Sequence, residues 1–284
     1  MNIGVISNCQ VYGLINCFSI LTKDCAVTGA PIIRAKDEKE RFRECDVIYV
    51  SPEFEDRAAE ALGEEASKRF KPLPTVFFDR FHPDLTYVKV NGDSLAGVLD
   101  NYHSLICFGA YKAGRTVDEA VALYNAETYG ILGYMSGWKE AADAFLKTYA
   151  DAGLDIGGVF VEWSRHAPFM HTFNHPKIGC LFDIAKAVLI RDGISHYDYR
   201  DCRVHDNLAQ GVGFPVYTEI AERYGLHGNY YFKLFHQYKT ISLREFVAAS
   251  YKVYSEADMD KAEVTTLRTS EYAKLMEALR NGRL

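Results

Sequence analysis

The opening stretch MNIGVISNCQVYGLINCFSIL constrains this chain most. Ile3, Val5 and Ile6 form a short apolar run, and Val11, Leu14, Ile15, Phe18 and Leu21 then recur at helical spacing. A buried strand followed at once by an amphipathic helix predicts the first half of a βαβ unit. The rhythm continues with an ambiguous strand near 26–34, a polar helix near 36–44, the strand DVIYVS, a helix near 54–70 and a strand in PTVFFDRF. Such alternation predicts an α/β fold with a parallel-sheet core and helices on both faces.

Beyond the sheet the pattern changes. From about 94 to 152 the chain reads as mainly helical, including VDEAVALYNAE and KEAADAFLKTYADAG. PFMHTF (168–173) is expected to return to the sheet, and a helix is expected from about 177 to 191. A helical C-terminal extension, about 215–284, includes LREFVAASYKVY. Without a repeat, a low-complexity tract or a Pro/Gly-rich linker, the expectation is one α/β domain, residues 1–284, with a helical insertion and a helical C-terminal addition. The length of 284 residues and 48% hydrophobic content suffice for a large core.

A net charge of −6 with scattered basic residues gives no electrostatic reason to expect nucleic acid. No apolar segment approaches the roughly 20 residues of a membrane-spanning helix, and the start lacks signal-peptide features, so a cytoplasmic protein is expected. Seven cysteines without CxxC pairs argue for reduced thiols, most of them packing as small hydrophobes.

In a parallel sheet the strand ends converge on one edge, where ligands bind. The first strand delivers Asn8, Cys9 and Gln10; VIYVSPE delivers Ser51, Pro52 and Glu53; VFFDRFHPD delivers Arg80, His82, Pro83 and Asp84; the late segment delivers His171, Asn174 and His175. A cysteine and several histidines from distant segments are the usual supply of a nucleophile and its base. Cys9 at the start of a helix should gain thiolate character from the dipole, with turn amides to hold an oxyanion. Packing alone is the competing explanation for that thiol. In FNHPKIG, Pro176 suits a first helical position, which would make Asn174 or His175 the cap and hold the imidazole neutral. His82 and Asp84 also suit an ordinary Pro-Asp turn. His166, His171 and His175 lie close in sequence, but Pro176 breaks the register a metal-binding pair needs, so no metal is expected. Walker, GxGxxG and GxSxG motifs are all missing.

Taken together, SNCQ, FFDRFHPDLTYV, HSLICFGAYKAGRTVDEAVALYN, LGYMSGW and FNHPK resemble the WcbI family of polysaccharide-biosynthesis proteins, over roughly residues 3 to 250. The family's GNCQ-like start falls on Ser7, Asn8, Cys9 and Gln10, with Ser7 in place of glycine. Its HPD and NHP blocks fall on His82, Pro83, Asp84 and on Asn174, His175, Pro176 unchanged; Ser51 stands where many relatives carry glutamine. The resemblance implies a coenzyme A-binding α/β fold and an O-acyltransferase that uses acetyl-CoA to modify a capsular or other surface polysaccharide precursor. It casts Cys9 and His175 as nucleophile and base, or Cys9 as the thiol lining the place where the thioester is presented for direct transfer, with Asn174, His82 and Asp84 assisting and Gln10 or Asn8 as oxyanion donors. Coenzyme A phosphates would call for cations, for which Lys112, Arg115, Arg80, Lys89 and Arg165 are candidates, and for an aromatic ring such as Tyr111, Tyr134, Tyr230 or Tyr231. Two other expectations use the same residues: an SGNH-like esterase with water as acceptor, and a noncatalytic protein that binds a glycan or coenzyme A. The sequence leaves the oligomeric state open.

Overall fold

The computed structural model describes residues 1–284 apart from the side chain of His166. The chain folds into two compact units, each assembled from three segments. The first comprises Met1–Phe78, Glu140–Met170 and Asn174–Ala209; the second comprises Asp79–Lys139, His171–Phe173 and Gln210–Leu284.

The first unit carries a parallel sheet of four strands, β1 (Asn2–Ser7), β2 (Ala26–Pro31), β3 (Val47–Val50) and β4 (Phe70–Pro72), in the order β2-β1-β3-β4. The central strands are buried on both faces, which is why they read as near-continuous apolar runs. Residues on β3 alternate between the two helical layers. Tyr49 stacks on Phe18 of helix α1 (Val11–Leu21), with ring centroids 5.3 Å apart. Ile48 and Val50 face the other way, into a cluster with Ile6, Ala30, Phe42 and Ala58, the last from helix α2 (Glu55–Leu62). Helices therefore cover both faces, as the α/β pattern predicts. Three more helices, α3 (Trp138–Asp151), α4 (Gly157–His166) and α5 (Ile178–Arg191), complete the unit, α3 joining it from Glu140.

Several local expectations need correction. PTVFFDRF forms no strand; the fourth strand lies just before it, and Pro72 and Pro74 end the ladder. The helix expected over 54–70 is cut at Gly63, whose φ of +87° ends α2 and leaves a single turn at Glu64–Ser67. The region 36–44 yields only a 3-10 turn, Lys39–Phe42. Met170–Thr172 is a three-residue strand outside the four-stranded sheet.

The second unit is built on helices Leu105–Lys112, Val117–Ala122, Ala126–Leu132, Thr218–Arg223, Leu243–Ser255 and Thr269–Arg280, with three small antiparallel sheets. Asp84 organises its interior. Its carboxylate accepts from Ile106 N (2.9 Å), Tyr134 Oη (3.2 Å) and Tyr217 Oη (2.6 Å). Arg268, equally buried, donates from Nε to Leu85 O (3.1 Å) and from Nη1 to Asp79 (2.9 Å). Among the described residues, no helix of either unit is long and apolar enough to cross a membrane.

Candidate functional site

With strand order β2-β1-β3-β4, the chain leaves β1 toward one side and β3 continues toward the other, so the topological switch lies between β1 and β3. In open α/β sheets the crevice outside the carboxyl ends at such a switch is where ligands bind. The turn after β1 is Asn8-Cys9-Gln10. Of the seven cysteines, all free, Cys9 is the exposed one; Cys25 and Cys202 are half-buried and the others are buried.

The turn is held by its neighbours. Asn8 Oδ1 accepts the Gln10 N–H (3.0 Å), and Asn8 O accepts the Val11 N–H (3.2 Å). Two of the amides expected to hold an oxyanion are thus turned back on Asn8. The groups left to donate at the turn are the Cys9 N–H and the Asn8 Nδ2 amide.

Gln10 is 1% exposed, and its side chain is fully committed. Oε1 accepts from Val76 N (3.0 Å), while Nε2 donates to Val76 O (2.8 Å) and to Asn174 O (3.0 Å). Both amide hydrogens are used, so Gln10 positions the site and does not donate to an oxyanion. This same pairing explains why residues 75–76 join no ladder: a side-chain amide takes the place of a strand.

The bond from Gln10 to Asn174 brings together the two segments that carry Cys9 and His175. A second contact reinforces it. A Cβ built on Gly13 would lie 2.7 Å from Leu181 Cδ1 and 3.2 Å from Ile178 Cδ1, so glycine lets the first turns of α1 and α5 approach closely. His175 itself is half-buried in a two-residue strand, His175–Pro176, and α5 begins at Ile178 with Lys177 as its N-cap. The expected cap at Asn174 or His175 is therefore displaced by two or three residues, to Lys177. Asp206 supplies the missing acceptor from a distant segment, taking the Ile178 N–H on Oδ2 (3.2 Å).

Electrostatics at Cys9 run against the expected thiolate. Burial of the sulfur against the protein pushes the thiol up to about 11, and its own backbone N–H offsets this only in part. The residue is open to solvent on one side and packed on the others, and the packed side dominates. Lys177 is desolvated too, which holds its ammonium below the usual lysine range.

The remaining candidates occupy varied surroundings. Ser7, at the family's glycine position, is buried, so it does not form the open approach to the thiol. Ser51 is buried as well; its hydroxyl donates to Glu53 and accepts the Thr75 N–H (3.2 Å). His82 and Asp84 belong to the second unit, both buried, and desolvation raises the Asp84 carboxyl despite its hydrogen bonds. In the same unit Arg80 is gripped at both ends by Asp79 (2.7 Å each), Lys112 Nζ donates to Met259 O, and Arg115 Nη2 donates to Leu284 O (2.9 Å). Tyr111 packs edge-on against Tyr251 and Tyr254. Arg165 is exposed on α4 and Lys89 is exposed on a short strand. The His166 side chain lies outside the described residues. Val76, Asp206 and Arg268 gave no sequence signal, since each acts on a segment far away along the chain.

Fold and site together define a doubly wound α/β protein with an accessible cysteine at its switch point. The model of the family described as polysaccharide biosynthesis enzyme WcbI matches residues 2–197. The chain belongs to the WcbI family of polysaccharide biosynthesis enzymes, as its motifs led one to expect. A solved WcbI structure shares the fold, with a TM-score of 0.65 over 99% of this chain and 95% of that one, at 12% identity. That structure is described as the native protein without a disulfide bond between coenzyme A and one of its cysteines. No curated protein sequence matches the chain.

Proposed function

We propose that this chain is an acyl-CoA-dependent O-acyltransferase, with acetyl as the acyl group, acting on a capsular or other surface polysaccharide precursor. The observation that carries the reading is the exposed Cys9 thiol at the switch point, tied through Gln10 to the segment bearing His175. The solved WcbI structure is described by the state of a cysteine toward coenzyme A, and Cys9 is the accessible cysteine here.

The residues of the turn fit the sulfur end of such a donor: an open thiol, the Cys9 N–H beside it and the Asn8 amide. When bound, acetyl-CoA supplies an acyl group already activated as a thioester. Cys9 gives its proton to His175, and its sulfur bonds to the acyl carbon. The Cys9 N–H and Asn8 Nδ2 stabilise the developing oxyanion, which collapses with loss of the donor's sulfur, and His175 returns the proton to that sulfur. The resulting thioester on Cys9 is attacked by a sugar hydroxyl, whose proton passes to His175 and then to the departing Cys9 sulfur. A thiol pushed up to about 11 makes the base indispensable, because only about one thiol in ten thousand is ionised at pH 7. Asn174 positions His175 through its carbonyl bond to Gln10. Roles for His82 and Asp84 are proposed only as support within their own unit.

The test is kinetic. Cys9→Ala and His175→Ala should each lower acetyl transfer by about a hundredfold or more while coenzyme A affinity by calorimetry stays within several-fold. No coenzyme A binding at millimolar concentration would end the transferase reading, and ester hydrolysis without such binding would replace it with the esterase. Lys112→Ala and Arg115→Ala test the phosphate cations separately, with a loss of about tenfold expected for a true phosphate contact.

A further inference from the structure

In the second unit, Tyr231–Lys233 and Thr240–Ser242 pair as an antiparallel hairpin. Its inner face is anchored by Phe232, which is fully buried and stacks on Phe246 at 4.1 Å with planes 9° apart. Backbone bonds between Lys233 and Gly213, 3.1 and 2.9 Å, add a third edge, and the His236 N–H donates to Gln210 O (3.0 Å). The platform is thus fixed at its base and at its tip.

Its outer side is rich in rings left in water. Tyr231 is 63% exposed, Phe235 49% and Tyr238 fully exposed. Beside them lies a cavity of about 190 Å³ lined by Gln210, Lys233, His236, Gln237 and Tyr238. His236 holds a left-handed backbone, φ +49°, a conformation that a non-glycine residue adopts at some cost, and its ring lies 4.1 Å from that of Phe235.

We propose that this hairpin tip is a saccharide-binding subsite that holds a neutral sugar unit of the glycan acceptor. The lining fits a polyol better than other ligands. The Gln237 amide, an imidazole and a phenol offer both donors and acceptors to hydroxyl groups, and exposed aromatic faces suit the C–H face of a sugar ring. Among the described residues the cavity lining includes no carboxylate and no aliphatic side chain. Among the described lining residues the ammonium is that of Lys233, which is spent on the carbonyls of Gln210, Gly211 and Leu234 and whose pKa desolvation lowers, so an anion finds no uncommitted charge among them. The class of ligand rests on the polysaccharide reading above; the location rests on the hairpin alone.

Saturation-transfer NMR on the full chain tests it, with methyl β-D-glucopyranoside, methyl β-D-galactopyranoside and methyl α-D-mannopyranoside as probes. At least one glycoside should receive saturation on its ring C–H protons, with affinity falling about tenfold in Tyr238→Ala and in Gln237→Ala. Both side chains are exposed, so thermal melting should not move. Cys9→Ala should bind the sugar as the unaltered chain does, which separates failure of this subsite from failure of the transfer chemistry. No transfer to any of the three probes, or equal transfer in both hairpin variants, overturns the assignment. So does a dimer in sedimentation velocity that Tyr238→Ala abolishes, since the rings would then be covered by a second copy.

Discussion

Cys9 combines two properties that usually part company, access to solvent and a thiol held protonated. Alkylation reports the second directly, since only the thiolate reacts. The rate of iodoacetamide labelling at Cys9, followed by peptide mass spectrometry, should climb about tenfold per pH unit from 7 to 10 without levelling. A plateau below pH 9 would show an ordinary or activated thiol and contradict the assignment of burial as the dominant influence. At this scale the sequence revealed residue types more readily than their work. The polar turn after an apolar run marked Asn8, Cys9 and Gln10 as candidates, with packing as the competing explanation for the thiol. It did not reveal that Gln10 spends its amide on Val76 and Asn174, because those partners lie 66 and 164 residues away. Asp84 was legible as part of a turn but not as the acceptor for Tyr134 and Tyr217, for the same reason.

Among the elements, the sheet depends on close backbone approach at β2. A Cβ on Gly29 would lie 2.6 Å from Val5 O, a backbone atom that cannot move without separating β2 from β1. On Gly13 it would meet the ends of flexible side chains at α5. Gly29→Ala should therefore cost about 2–3 kcal/mol and Gly13→Ala about 1 kcal/mol, measured by urea denaturation. The reverse order would contradict the packing described. Strand β1 and helix α1 were clear from sequence because periodicity and burial agree there. PTVFFDRF was misleading because Val76 and Phe78 are buried by packing outside any ladder: Phe78 sits against Phe145, Phe160 and Phe169, which an apolar run alone cannot distinguish from a strand. The extent of α5 was legible, but its cap was misassigned because the acceptor for the Ile178 N–H comes from Asp206, outside any local motif.

Across the whole molecule, the chain passes repeatedly between units, and His171–Phe173 of the second is flanked in sequence on both sides by residues of the first. Neither unit is a continuous piece of chain, which is why no linker was visible in the sequence. Loss of one unit frees the ends of segments that the other must order, so the two should unfold together. The two tryptophans report this, Trp163 from the first unit and Trp138 from the second. Trp138→Phe and Trp163→Phe, each leaving one emitter, should show the same dependence of fraction unfolded on urea once corrected for any change in stability by circular dichroism. Fluorescence transitions separated from the circular dichroism curve would mean independent units.

The central claim is that Cys9 carries the acyl group, and intact-protein mass spectrometry after brief incubation with acetyl-CoA addresses it most directly. The predicted result is a single acetyl adduct, mapped to Cys9, absent from Cys9→Ala, slow to form in His175→Ala and cleared when a polysaccharide acceptor is added. Acetyl transfer by Cys9→Ala at the rate of the unaltered chain, with no adduct on Cys9 at any time, would contradict it.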